Sequence, residues 1–249
     1  MKGLRSSLFA VLGAVVVLAI IAGGVVLWST YNKAPLPIDD RCVAIAGGNT
    51  ATIDPAQAHY ASIIAGMTIK RDLAPRAASI ALATAYQESG IRNLDYGHAD
   101  SIGLFQQRPS KGWGTIEEIM DPWYSAREFY RAMERIDDWE NKDINDVAQA
   151  VQRSAYPDAY RRHETNARTL ASSLTGETPA SFRCQVAAPN TADPDGMGRL
   201  LTKTLGADNV SIKAVGGELT VTAANATHAW AVANIAVANT AEFGLAAVQ

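Results

Sequence analysis

Apolar residues follow three rhythms along this chain. The first is unbroken: no charged residue occurs between Arg5 and Lys33, and Leu8 to Trp28 is almost wholly apolar. At about 1.5 Å per residue, such a run spans the roughly 30 Å hydrocarbon core of a bilayer as a helix. Lys2 and Arg5 make the short amino-terminal flank purely basic, which places it in the cytoplasm. Trp28 and Tyr31 suit the outer interface. A cleaved signal peptide is the alternative, but its apolar region normally covers about 7–15 residues and ends at a small-x-small site. No convincing Ala-x-Ala follows Trp28. The expectation is an uncleaved single-pass membrane anchor over residues 1–33, with the soluble part extracytoplasmic.

The second rhythm is helical and runs from Pro55 to about Leu174. Ala34-Pro35-Leu36-Pro37 precedes it as a stiff linker. Asp54 caps a helix from Pro55 to Ile69. Pro75 opens a second helix whose Ile80, Leu82, Ala83, Ala85 and Tyr86 leave no polar face, which predicts a buried element ending at Gly90. Asp121-Pro122 opens a third, and Tyr156 to Leu174 gives another. Strand signals in this stretch are poor, so residues 34–184 read as one helical domain. The third rhythm follows a Pro- and Gly-containing stretch, Thr175 to Pro194, whose last part, 185–194, is the linker. There a helix over Met197–Leu205 precedes two alternating segments, Val210–Lys213 and Leu219–Thr222, around Gly216-Gly217. An alanine-rich helix over Thr227–Thr240 and a last strand over Phe243–Val248 complete a small α+β module, 195–249.

A net charge of −3, with no basic stripe and no aromatic-basic interleaving, gives no footprint for nucleic acid. The four histidines are scattered, and His163-Glu164 lacks the second histidine of a zinc helix, so no metal site and no cofactor are expected. The glycines at 47–48 and 216–217 read as turns, not phosphate loops. Cys42 and Cys184 are the only cysteines. In an extracytoplasmic setting they are free to bridge, tying the ends of the helical domain; the alternative is two unrelated thiols.

Chemistry concentrates in Glu88-Ser89-Gly90-Ile91, Gly103-Leu104-Phe105-Gln106 and Pro109. Cleaving a glycosidic bond needs a carboxylic acid that stays protonated near neutral pH. A glutamate at a helix carboxyl terminus faces the negative end of the helix dipole, and apolar neighbours such as Ile91, Leu104 and Phe105 desolvate it.

The ordered set Glu88, Ser89, Gly90, Ile91, Asn93, Gly103, Leu104, Phe105, Gln106 and Pro109 resembles the lysozyme-like superfamily of lytic transglycosylases and goose-type lysozymes. Asp121-Pro122 with Ala126 and Tyr130 resembles the Asp-Pro helix that packs behind that family's site. The resemblance covers roughly Pro75 to Leu174. It implies an α-helical lysozyme-like domain; together with the N-terminal transmembrane helix and the small C-terminal α+β module read above, the expected chain is mainly α. It also implies cleavage of the β-1,4 bond between N-acetylmuramic acid and N-acetylglucosamine in peptidoglycan. Glu88 would be general acid and then base; Ser89, Gly103, Leu104, Phe105 and Gln106 would bind substrate or hold the loop.

The family's later Ala-Tyr-Asn-Ala-Gly is replaced here by Ala150-Val151-Gln152-Arg153-Ser154. Val151 has no hydroxyl to offer Glu88, so Tyr156 and Gln152 are the candidates for that contact. Asp95 and Asp100 are candidate second carboxylates, Arg108 a candidate contact for a peptide carboxylate, and Trp113 a candidate sugar platform. The alternative function is a weakly active or non-catalytic glycan-binding module serving a cell-envelope or secretion assembly. The expected partners are peptidoglycan and the membrane; the sequence names none for the C-terminal module.

Overall fold

In the computed structural model, which describes residues 39–248, Gly47 and Gly48 take positive φ of 56° and 75°. Glycine adopts this left-handed backbone without a Cβ clash, and tight hairpins need it. The pair joins β1 (Arg41–Ala46) to β2 (Asn49–Ile53), and β1 pairs on its other edge with β3 (Phe182–Gln185). Cys42 lies opposite Cys184 in that second pairing, and the two form a disulfide with Cα atoms 4.0 Å apart. The bridge is the expected one; the three-stranded sheet that holds it is not.

Helix α1 (Pro55–Lys70) starts with a capping box: Asp54 accepts from the Gln57 backbone N–H while the Gln57 side chain accepts from the Asp54 N–H. Helix α2 (Pro75–Ser89) is the centre of the molecule. Every residue from Ala77 to Ala85 is buried, as its all-round small and apolar surface requires. Around it stand α1, α4 (Pro122–Met133), α5 (Ile144–Gln152) and α6 (Glu164–Leu174), while the short α3 (Ile116–Met120) leads into α4. The sheet covers α6. Tyr130 is fully buried at no polar cost, because its hydroxyl donates to the Ile64 carbonyl at 2.7 Å.

The remaining elements are α7 (Pro194–Leu205), the hairpin β4 (Val210–Val215) and β5 (Glu218–Ala223), α8 (Ala226–Ala238) and the short α9 (Thr240–Phe243). Helices α7 and α8 pack on α1 at Gly66, where an added Cβ would lie 3.0 Å from Ile235 Cδ1 and closer still to Thr204. Asn239 Nδ2 donates to Ser62 Oγ at 2.9 Å and Asn234 Nδ2 to the Ser173 carbonyl at 2.7 Å, both buried. Asp39 to Gln249 therefore forms one compact unit.

These findings correct the expected fold class. The chain is not a purely helical domain with a separate α+β module: it combines helices with two small sheets, one of them inside the stretch read as helical. Among the described residues no helix is long and apolar enough to cross a membrane. Leu8 to Trp28, where the transmembrane helix is expected, lies outside the described residues. The helix read from Tyr156 begins only at Glu164; residues 153–160 form an irregular strap instead. Residues 244–248 form no strand.

Candidate active site

Glu88 sits in the last turn of α2, which stops at Gly90 in the left-handed conformation (φ 66°). Ile91 follows at φ 57° and is fully buried. A β-branched residue rarely adopts that backbone, so the turn is held against local strain by its surroundings. Gln57 Nε2 donates to the Gly90 carbonyl at 2.8 Å, and Arg92 pairs with Asp54, so the start of α1 clamps the turn beyond Glu88.

Ser89 joins the two halves of the motif. Its Oγ donates to the Leu104 carbonyl at 2.7 Å and accepts from the Arg92 N–H at 3.1 Å. Gly103 takes φ 78°, and an added Cβ would stand 3.1 Å from both the carbonyl oxygen and Cγ2 of Ile119. Glycine is thus required there for conformation and for close approach. Asn93 closes the loop by donating to the Met120 carbonyl at 2.8 Å. Leu104 and Phe105 are buried, and Phe105 stacks on Phe129 with centroids 4.6 Å apart. Their side chains anchor the segment in the core. Gln106, half-buried, donates to the Tyr96 carbonyl at 3.2 Å.

The hydroxyl opposite Glu88 comes from Tyr160. It donates to Glu88 Oε1 at 2.7 Å, and its ring is fully buried. Tyr156, the expected candidate, is 74% exposed and makes no such contact. Gln152 does reach the site: its Nε2 donates to the Phe105 carbonyl at 2.8 Å, and its amide stands near enough to the Glu88 carboxylate to favour the charged form. Asn145 holds the strap that delivers Tyr160. Its Nδ2 donates to the Pro157 carbonyl at 2.8 Å, and its Oδ1 accepts from the Arg161 N–H at 3.1 Å, one bond on each side of Tyr160. Sequence reasoning misses Tyr160 because it extends a helix back through Pro157. The available signal is that proline itself, followed by the nearest buried-type aromatic hydroxyl.

Burial pushes the Glu88 carboxyl above its ordinary range, and the hydrogen bond from Tyr160 and the nearby Gln152 amide oppose it with smaller effect. Tyr160 is itself held well above the usual phenol range by burial and then by the Glu88 charge, so it remains a donor. The arrangement is a half-buried carboxyl biased toward its protonated form, with a fixed donor on one oxygen. That is what donating a proton to a leaving oxygen requires.

Asp100 is engaged elsewhere. It accepts from Arg108 Nε at 2.6 Å, from the Ser110 N–H at 2.8 Å and from Ser110 Oγ at 3.0 Å, which together hold its carboxyl well below the usual range. Arg108 is thereby accounted for. Asp95 is exposed and Trp113 packs half-buried against the core. Among the described residues no group of three or more His, Cys, Asp or Glu side chains is placed to hold a metal ion. The chain matches no protein-family model and no curated protein.

Proposed function

We propose that this chain cleaves the β-1,4 bond between N-acetylmuramic acid and N-acetylglucosamine in peptidoglycan, with Glu88 as general acid and then base. The observation that carries this reading is the Tyr160–Glu88 contact on a half-buried carboxyl whose pKa is raised. Glu88 gives its proton to the glycosidic oxygen as the C1–O bond breaks, and positive charge develops on the muramic ring. Asp100 is occupied by Arg108 and Ser110, which favours an intramolecular nucleophile. The muramic 6-hydroxyl attacks C1, its proton passes to the Glu88 carboxylate, and a 1,6-anhydro product forms. The disulfide supports a location outside the cytoplasm, at the cell envelope.

The test is digestion of purified peptidoglycan by the full chain, with products separated by mass. Anhydromuramic ends support the intramolecular route; reducing muramic ends support the same acid with water as nucleophile. Binding without any cleaved product would overturn the enzymatic reading in favour of a glycan-binding module.

A further inference from the structure

The carboxyl end of α1, the start of α4 and the last turn of α7 line an open cavity of about 440 Å³, and none of its lining residues belongs to the Glu88 cluster. Four cations line it, Lys70, Arg71, Arg127 and Lys203, with Trp123 and Tyr124 between them. The rings hold two of these charges in place. Lys203 Nζ lies 3.7 Å from the Trp123 ring centroid, and the Arg127 guanidinium 4.7 Å from that of Tyr124. Trp123 is fixed in turn, because its Nε1 donates to Thr204 Oγ1 at 2.9 Å. Cations resting on aromatic faces lose less freedom when they grip a ligand than free surface side chains do.

Carboxylates offset part of this charge. Asp121 lies 3.2 Å from Lys203, Glu134 2.5 Å from Arg71, and Glu128 3.2 Å from Arg127. Glu128 is shared with Arg131, also at 3.2 Å. Lys70 has no ion-pair partner among the described residues; its Nζ donates to the Lys203 carbonyl at 3.0 Å. A positive surplus therefore remains, spread over donors that reach the cavity from three elements. A lone carboxylate is served by one arginine fork in one plane. Donors converging from several sides suit a tetrahedral oxyanion.

We propose that this cavity binds a phosphate-ester anion, with its oxygens taken by Lys70, Arg127 and Lys203. The carrier is either a soluble phosphate ester or a lipid headgroup, which share this chemistry. The site is independent of Glu88 and of the glycosidase reading.

Calorimetric titration of the full chain tests this, using glycerophosphoglycerol and dihexanoyl phosphatidylglycerol, which carry the same phosphodiester with and without acyl chains. Saturable binding of at least one probe is expected. It should weaken about tenfold or more in Lys70→Ala/Arg127→Ala, since the two lost charge-assisted contacts are together worth at least about that factor. Both side chains are exposed, so an unchanged melting temperature should show that the variant folds. Glu88→Gln should bind as the wild type does. Equal affinity for the two probes assigns a soluble carrier, and tighter binding of the short-chain lipid assigns a membrane headgroup. No saturable binding of either probe would overturn the proposal. So would equal affinity in the double variant, or competition by acetate as effective as by phosphate.

Discussion

The Tyr160 hydroxyl donates to Glu88 Oε1 at 2.7 Å across 72 residues of sequence. Two opposing effects meet at that bond. Burial raises the Glu88 pKa, and the hydrogen bond lowers it by favouring the carboxylate. Tyr160→Phe removes the second effect and leaves the first. The Glu88 pKa should then rise further, and the alkaline limb of glycan cleavage should move to higher pH while the maximal rate falls. Carboxyl ¹³C titration beside a pH–rate profile checks both.

Glu88 also links stability to pH. Its pKa in the folded chain lies above the unfolded value. Its contribution is therefore fully present below the unfolded pKa and is lost as pH rises through the folded one. Glu88→Gln cannot ionise and escapes that loss. The melting temperature of the variant should gain on that of the wild type as pH increases from acid to neutral. A constant difference across that range would contradict the assigned direction.

Asn145 should act on the site through the strap. Asn145→Ala removes hydrogen bonds to residues on both sides of Tyr160, at a cost of about 1–3 kcal/mol in stability for the buried groups left unpaired. Its effect on cleavage should largely vanish when Tyr160 is already phenylalanine. A double-mutant cycle reads this coupling. Independent, additive losses of activity would mean that Asn145 matters only to the fold.

The Cys42–Cys184 bridge closes a separation of 142 residues. On the chain-entropy account, removing it should cost about 4–5 kcal/mol. Cys42→Ser/Cys184→Ser should show this as a lower denaturation midpoint, with the sheet pairing of β1 and β3 retained at low temperature.

The Glu88 end of the site is legible in the sequence because its parts are local. Pro75 and Gly90 bound α2, and Gly103 marks a backbone that must pass close to Ile119. The Tyr160 end is not legible, because the strap is shaped by Asn145 from a different helix, and no periodicity records such a bond. The sheet also goes unread. β1 and β2 are short and partly alanine, and the outer face of β1 carries the apolar Val43 and Ile45, so that strand lacks a clean polar alternation. Apart from the last strand, which does not form, the C-terminal elements are placed well along the chain, yet their packing on Gly66 of α1 is a long-range fact that composition cannot announce.

The most direct test of the account is the rate of peptidoglycan cleavage by Glu88→Gln, measured beside the wild type on folded protein. Glutamine keeps the shape of the side chain and can still accept from Tyr160, but it has no acidic proton to give. The account predicts a loss on the order of 10²–10⁴ in rate, with glycan binding retained. Cleavage at the wild-type rate would contradict the assignment of Glu88 as the proton donor.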